Sequence, residues 1–184
     1  MEPIPFQIDQ YNIGGAVYFD GWDVPMAGTP DLLDVTDKIL FLFKDAGERY
    51  TNGVPHDGRL LAEILTRDSE GHVRYVYLIR NSRLRSDEQY VRYSAEEGLV
   101  ETDFYSIRYN LDNHLEWVDF SYGSYVGDRP LDSLRLILRG GVLTSLAEVE
   151  LNSDDLVALP KGELIGPIRT TTQLEFNVMF MSVP

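Results

Sequence analysis

Three histidines, His56, His72 and His114, are the side chains here whose ordinary ionisation allows proton exchange near neutral pH. In an extended chain Asp112, His114 and Glu116 share one face, and such ligands suit hard or borderline metals. The sequence Leu111-Asp112-Asn113-His114 has turn chemistry, however, and a turn there breaks that face. His56-Asp57 lies in the loop between Gly53 and Gly58, and a catalytic dyad would need a nucleophile that the sequence does not place beside it. The pairs Asp20/Asp23, Glu96/Glu97 and Asp154/Asp155 have the residue type that glycoside hydrolysis requires, but thirty acidic residues produce such pairs by chance. Gly14-Gly15 lacks the register of a dinucleotide loop, and Gly140-Gly141 joins two strand patterns without opening a helix, so both read as turns. Trp22, Trp117 and eleven tyrosines could line a sugar site, yet their alternation with charged residues places most of them as packing residues on half-buried strands. With no cysteine, thiolate ligands, disulfides and cysteine nucleophiles are excluded. No catalytic, cofactor-binding or metal residue is expected, and no small-molecule substrate.

The elements that would position these groups are strands. Val73, Tyr75, Tyr77 and Ile79 alternate with His72, Arg74 and Arg80; Leu60, Ala62 and Ile64 precede them across the turn Asp68-Ser69-Glu70-Gly71. A second hairpin is predicted from Tyr105, Ile107 and Tyr109 through 111–114 to residues 115–122. Further strands are predicted at 16–19, 39–43, 90–93, 134–138, 146–151 and 174–180. Helix signals are thin: Thr29-Pro30-Asp31 opens one short helix, and Ser153-Asp154-Asp155-Leu156 opens another that Pro160 ends. Residues 1–184 are therefore read as one all-β domain, an antiparallel two-sheet sandwich of jelly-roll type with about 8–10 strands and one or two very short helices.

The two ends carry their own signals. Prolines hold Glu2-Pro3-Ile4-Pro5-Phe6 extended, so residues 1–13 read as an arm lying over something rather than a strand within a sheet. Residues 172–184 read as a final strand and tail, with Leu174, Phe176, Val178 and Phe180 facing a core; that strand is predicted to be central. A stiff arm loses little entropy on docking and methionines adapt to irregular surfaces. Subunit contacts are accordingly expected at Pro3, Pro5, Phe6, Met179, Met181 and Pro184.

Charge supplies the environment. Thirteen arginines and three lysines face thirty acids, giving a net charge of −14. Such a surface repels itself at ordinary ionic strength, but the screening length falls from ~10 Å at 0.1 M salt to ~3 Å at 1 M. Few lysines and many aspartates suit brine, because short carboxylates hold water better than long alkyl stems do. Seven arginines (Arg67, Arg74, Arg80, Arg83, Arg85, Arg92 and Arg108) gather in the nearly neutral stretch 67–108. They read either as cross-strand ion pairs or as a face for a neighbour's carboxylates. Nucleic acid is disfavoured as a partner. The N-terminus lacks the basic and apolar segments of a signal peptide, and no run approaches the ~18 apolar residues that span a bilayer.

An all-β domain of about ten strands, ends suited to neighbours and a salt-adapted surface together resemble the single jelly-roll major capsid proteins of halophilic archaeal icosahedral viruses that enclose a membrane. The resemblance implies a sandwich standing roughly perpendicular to the capsid surface. It implies dimers, with itself or with a second capsid protein, that build pseudo-hexameric capsomers over the viral membrane. It also implies assembly in the host cytoplasm, residence in the virion and no enzymatic activity. Two readings from other classes stay open. One is an acidic inhibitor, such as an immunity protein covering a basic toxin, although electrostatic steering gives no reason to avoid lysine. The other is a ligand-binding barrel or a hydrolase.

Overall fold

The computed structural model describes residues 2–19, 24–30, 32–54, 56–127, 135–142, 145–152 and 155–178. It is all-β, and every strand pairing among the described residues is antiparallel. The chain divides into two compact units: Met1–Tyr18, Trp22–Tyr90 and Gly166–Arg169 form the first, and Phe19–Gly21, Val91–Ile165 and Thr170–Pro184 the second.

In the first unit β1 (Gln7–Asp9) pairs with β2 (Lys38–Leu40). The arm predicted over 1–13 is thus corrected: its second half enters a sheet, because Gln7 and Asp9 are buried side chains that need fixed partners. β3 (Arg59–Arg67) and β4 (Val73–Arg80) form the predicted hairpin, with a bulge that leaves Leu61 unpaired between Leu60 and Ala62. Asp68 closes its turn by accepting the Glu70 and His72 amides at 2.9 and 2.8 Å, and Gly71 supplies the positive φ of +93°. Residues 39–43 give only the short β2, then a single 3-10 turn at Phe43–Asp45. The strand expected at 16–19 is reduced to an isolated bridge between Tyr11 and Val17. The helix expected from Thr29 is also corrected: the Leu32 amide reaches the Thr29 carbonyl at 3.2 Å in a turn, and Asp34 bonds the amide and hydroxyl of Thr36. Leu32 and Leu33 stay exposed, so a helix there would bury no apolar face to hold it.

The second unit is built on a meander: β5 (Arg92–Ser94), β6 (Leu99–Glu101), β7 (Tyr105–Asn110), β8 (Asn113–Tyr122) and β9 (Tyr125–Gly127), in that order across the sheet. Two ribbons accompany it, β10 (Arg135–Val142) with β11 (Ser145–Asn152) and β12 (Leu156–Ile165) with β13 (Thr170–Val178). The ribbon β12–β13 faces the meander. Buried Asn113 donates to the Leu156 carbonyl at 2.9 Å and accepts the Ala158 amide at 3.0 Å, which pins β8 to β12.

β12 occupies ground where the sequence suggested a helix ending at Pro160. Leu156 and Ala158 are 4% and 0% exposed while Leu159 is 39% exposed, a period of two that belongs to a strand. Pro160 fits because the register shifts between it and Gly162, and a bulge tolerates a residue with no amide hydrogen. Ser153 and Asp154 lie outside the described residues. Gly140 and Gly141 are not a turn but lie within β10, opposite Ala147 and Leu146. The strand expected to be central, β13, pairs only with β12 among the described residues. Every described pairing joins strands adjacent in sequence, so the Greek-key crossovers of a jelly roll are not among them.

Candidate functional site

The first unit carries the surface with the most unspent chemistry. β3 and β4 form a two-stranded ribbon; its one further described pairing is at Gly47 and Tyr75, whose backbones exchange bonds of 3.1 and 2.8 Å on the β4 side. Among the described residues nothing pairs with the outer edge of β3, whose backbone groups are thus open to a partner. Leu61 and Leu65 on this strand are 49% and 53% exposed.

The ribbon itself carries Arg59, Arg67, Arg74 and Arg80. Arg49 pairs with Glu63 at 2.9 Å, and that carboxylate's bond and charge raise the guanidinium's pKa. Arg74 instead donates to the carbonyls of Lys44 and Ala46 at 3.0 and 2.8 Å, and lies 5.4 Å from the Phe43 ring. Arg85 also spends its donors on carbonyls, those of Ser82 and Leu84. Among the described residues no carboxylate stands within ion-pair distance of Arg67, Arg80 or Arg108, and of the seven central arginines only Arg92 has one, Glu101 at 3.9 Å. Cross-strand ion pairing therefore accounts for one of the seven.

Beside the ribbon is a cleft of about 1290 Å³, lined by residues 2–6, Tyr50, Tyr75, Tyr77 and Arg85 among others. Tyr77 holds the Tyr50 amide through its hydroxyl at 2.9 Å, with the two rings edge to face. Asp45, which lines the cleft, accepts the Tyr90 hydroxyl at 2.7 Å, and the Lys44 ammonium lies 4.0 Å from the Tyr90 ring centre. Burial, then the Asp45 bond, push the Tyr90 hydroxyl well above the usual phenol range, so it remains a donor.

In the same unit β1 clasps the segment Gly166–Arg169. The Gln7 Oε1 accepts the Ile168 and Arg169 amides at 3.3 and 3.1 Å, and Gln7 Nε2 donates to Asp9 at 2.6 Å. Fully buried Asp9 meets the Arg169 guanidinium at 2.5 Å. Burial would lower the pKa of Arg169, but the bond and charge of Asp9, with help from Tyr11, hold it above its ordinary value. A Cβ at position 166 would stand 2.1 Å from Gln7 Oε1, so a larger residue there would push the Gln7 amide group away from the Ile168 and Arg169 amides.

The residues expected to touch neighbours are placed unevenly. Pro3 is half-buried, Pro5 is buried and Phe6 is 41% exposed. Met179, Met181 and Pro184 lie outside the described residues. His56 is exposed, and its neighbour Asp57 accepts the Arg83 amide at 2.9 Å. His72 binds Asp68 at 2.8 Å at the tip of the hairpin. His114 is buried and stacks on Tyr109, while Glu116 accepts from Asn110 at 2.7 Å. Among the described residues no three potential ligands gather to hold a metal ion. Glu96 and Glu97 sit exposed in the turn between β5 and β6; Asp20, Asp23 and Asp154 lie outside the described residues. Sequence reasoning offered the seven arginines of 67–108 as a face for a neighbour's carboxylates, but it did not find the open edge of β3 on which Arg67 lies.

The chain matches no protein-family model, no curated protein sequence and no solved structure.

Proposed function

We propose that this chain is a structural subunit of a salt-adapted protein shell, a capsid protein whose copies join through the β3–β4 ribbon. The observation that carries the proposal is the combination on that ribbon of an open strand edge, half-exposed Leu61 and Leu65, and arginines without carboxylates, in a chain of net charge −14. An isolated two-stranded ribbon is marginal in water, and a neighbouring strand supplies what it lacks. Covering the exposed halves of the two leucines contributes about 1 kcal/mol each, since full burial of such a side chain is worth about 1.5–3 kcal/mol. Arginine forks then meet the acidic surface that every other copy carries.

The partners are copies of the same chain and a second capsid protein of the same chemistry, in a shell over a viral membrane. An acidic inhibitor would have no use for an arginine-bearing apolar ribbon, because its steering depends on acids alone. Light scattering across about 0.05–3 M NaCl tests the reading, because that range takes the screening length from beyond an ion-pair contact to about its size. Large particles are expected in molar salt, dissociating as salt falls before the circular dichroism changes. Leu65→Asp should leave the fold intact and prevent assembly. A chain that stays monomeric at every salt concentration refutes the proposal.

A further inference from the structure

The second unit contains a cavity of about 250 Å³ where the meander faces β13. Its walls follow from strand periodicity. Tyr105, Ile107 and Tyr109 share one face of β7, and Thr170, Thr172 and Leu174 share one face of β13. Tyr93 from β5 and His114 from β8 complete the polar lining, and the remaining wall is aliphatic.

This is an unusual filling for the space between two sheets. Such spaces normally close on interdigitated apolar side chains, because an unpaired polar group there costs about 1–3 kcal/mol. Here the Tyr93 hydroxyl is held by Glu163, but the Thr170 hydroxyl is buried with no partner among the described residues. The hydroxyls of Tyr105, Tyr109 and Thr172 and the ring nitrogens of His114 likewise have no described hydrogen-bond partner. Among the described residues no Lys, Arg, Asp or Glu lines the cavity, so a charged ligand would be desolvated without a lining charge to pair it. Burial pushes the Tyr109 phenol up, which keeps it a neutral donor. Aromatic rings offer flat apolar walls, while hydroxyls offer both donors and acceptors. Liquid water occupies about 30 Å³ per molecule, so the cavity has room for roughly eight waters, the scale of one ring-sized ligand and not of a chain.

We infer that this cavity is a binding site for a single neutral, hydroxylated ring of monosaccharide size, held by the hydroxyls of Tyr105, Tyr109 and Thr172 between aromatic walls. The site stands independently of the shell proposal, since its residues are not those of the β3–β4 ribbon. A shell subunit with such a site would recognise a sugar-bearing surface, one residue at a time.

The test is NMR of ring-labelled tyrosine during titration with glucose, galactose, N-acetylglucosamine and myo-inositol, with acetate and tetramethylammonium as charged probes of similar or smaller size. At least one neutral probe should shift the Tyr105 and Tyr109 signals saturably in the millimolar range, where small ligands with few contacts bind. Thr172→Val and Tyr105→Phe preserve shape and should each weaken that binding about five- to tenfold, the loss of one net hydrogen bond. Unchanged tyrosine spectra of the variants outside the cavity establish that they fold. The inference is overturned if no neutral probe saturates up to about 100 mM, two decades above that range. Equal binding of the charged probes, or binding indifferent to both substitutions, overturns it as well.

Discussion

Removal of the buried charge at the base of the first unit gives the sharpest energetic test. Asp9 is fully buried, whereas the Arg169 side chain is 39% exposed, so the two members of the pair are not equivalent. Asp9→Ala strands a guanidinium that still reaches water, and it also removes the acceptor of Gln7 Nε2. The expected loss is about 3 kcal/mol, the lower end for stripping one partner from a buried pair. Arg169→Ala strands a carboxylate that water cannot reach, and the expected loss rises to about 5 kcal/mol. The double variant should be more stable than Arg169→Ala alone, because no unpaired charge remains. For a chain of this size a loss of 3 kcal/mol lowers the melting temperature by about 6–12 °C, at about 2–4 °C per kcal/mol. Urea unfolding at about 0.2 and 2 M NaCl, followed by amide exchange in the ladder between β1 and β2, measures each variant. A buried pair is screened far less than surface charges, so the losses should be nearly equal at the two salt concentrations. Arg169→Ala milder than Asp9→Ala, or losses that halve in high salt, would refute the reasoning.

Gly166→Ala should break the same clasp without touching a charge, since its Cβ would sit 2.1 Å from Gln7 Oε1; lost amide protection in β1 with β5–β9 unaltered would confirm it by hydrogen exchange. In the second unit, Asn113→Ala leaves the Leu156 carbonyl and the Ala158 amide unpaired, and chemical unfolding should record a loss of about 2–3 kcal/mol, whereas a loss below about 0.5 kcal/mol would contradict the pinning of β8 to β12. At the hairpin tip the Asp68 pKa is lowered, first by its bond to His72. A depressed folded pKa means that this contribution is present above the unfolded value of 3.8 and is lost as pH falls through the lower folded value, so exchange at the His72 amide should accelerate below about pH 4, and Asp68→Asn should flatten that dependence.

The sequence was informative wherever structure is local. Val73 to Ile79 alternate, Asp68 to Gly71 carry turn chemistry, and the hairpin β3–β4 followed directly; the same holds for β7 and β8. Misreadings arose where one strong residue outweighed its context. Pro160 argued for the end of a helix, yet the alternation of Leu156 and Ala158 and a bulge at Lys161 make room for it in a strand. Pro3 and Pro5 argued for an extended arm lying over something rather than a strand, but the buried side chains of Gln7 and Asp9 draw the following residues into a sheet. The division into two units was not legible, because no linker composition marks the crossing points of the chain. Nor was either site. Tyr105 and Tyr109 are readable as one face of a strand, but that Thr170 and Thr172 stand opposite depends on a pairing of segments more than sixty residues apart, which no local periodicity encodes. The unpaired state of Arg67 and Arg80 is equally invisible until the carboxylates around them have positions.

The clasp between Gln7 and Arg169 also sets an order of events during synthesis. Its two ends are 162 residues apart, which a ribosome working at about 5–20 residues per second needs roughly 8–32 s to add. Throughout that interval a nascent chain holds a glutamine and an aspartate destined for burial, with neither the amides nor the guanidinium that make burial tolerable. The first unit therefore opens before the second and closes only after most of the second has emerged: β5–β9 meet their local partners while β1 waits for residues 166–169. Contacts so remote in sequence form slowly even after release, whereas the meander closes through neighbours a few residues apart. A nascent chain arrested before residue 166 should accordingly carry a protected β7–β8 hairpin and an accessible, protease-sensitive N-terminal segment, and synthesis beyond residue 169 should switch that segment to protected.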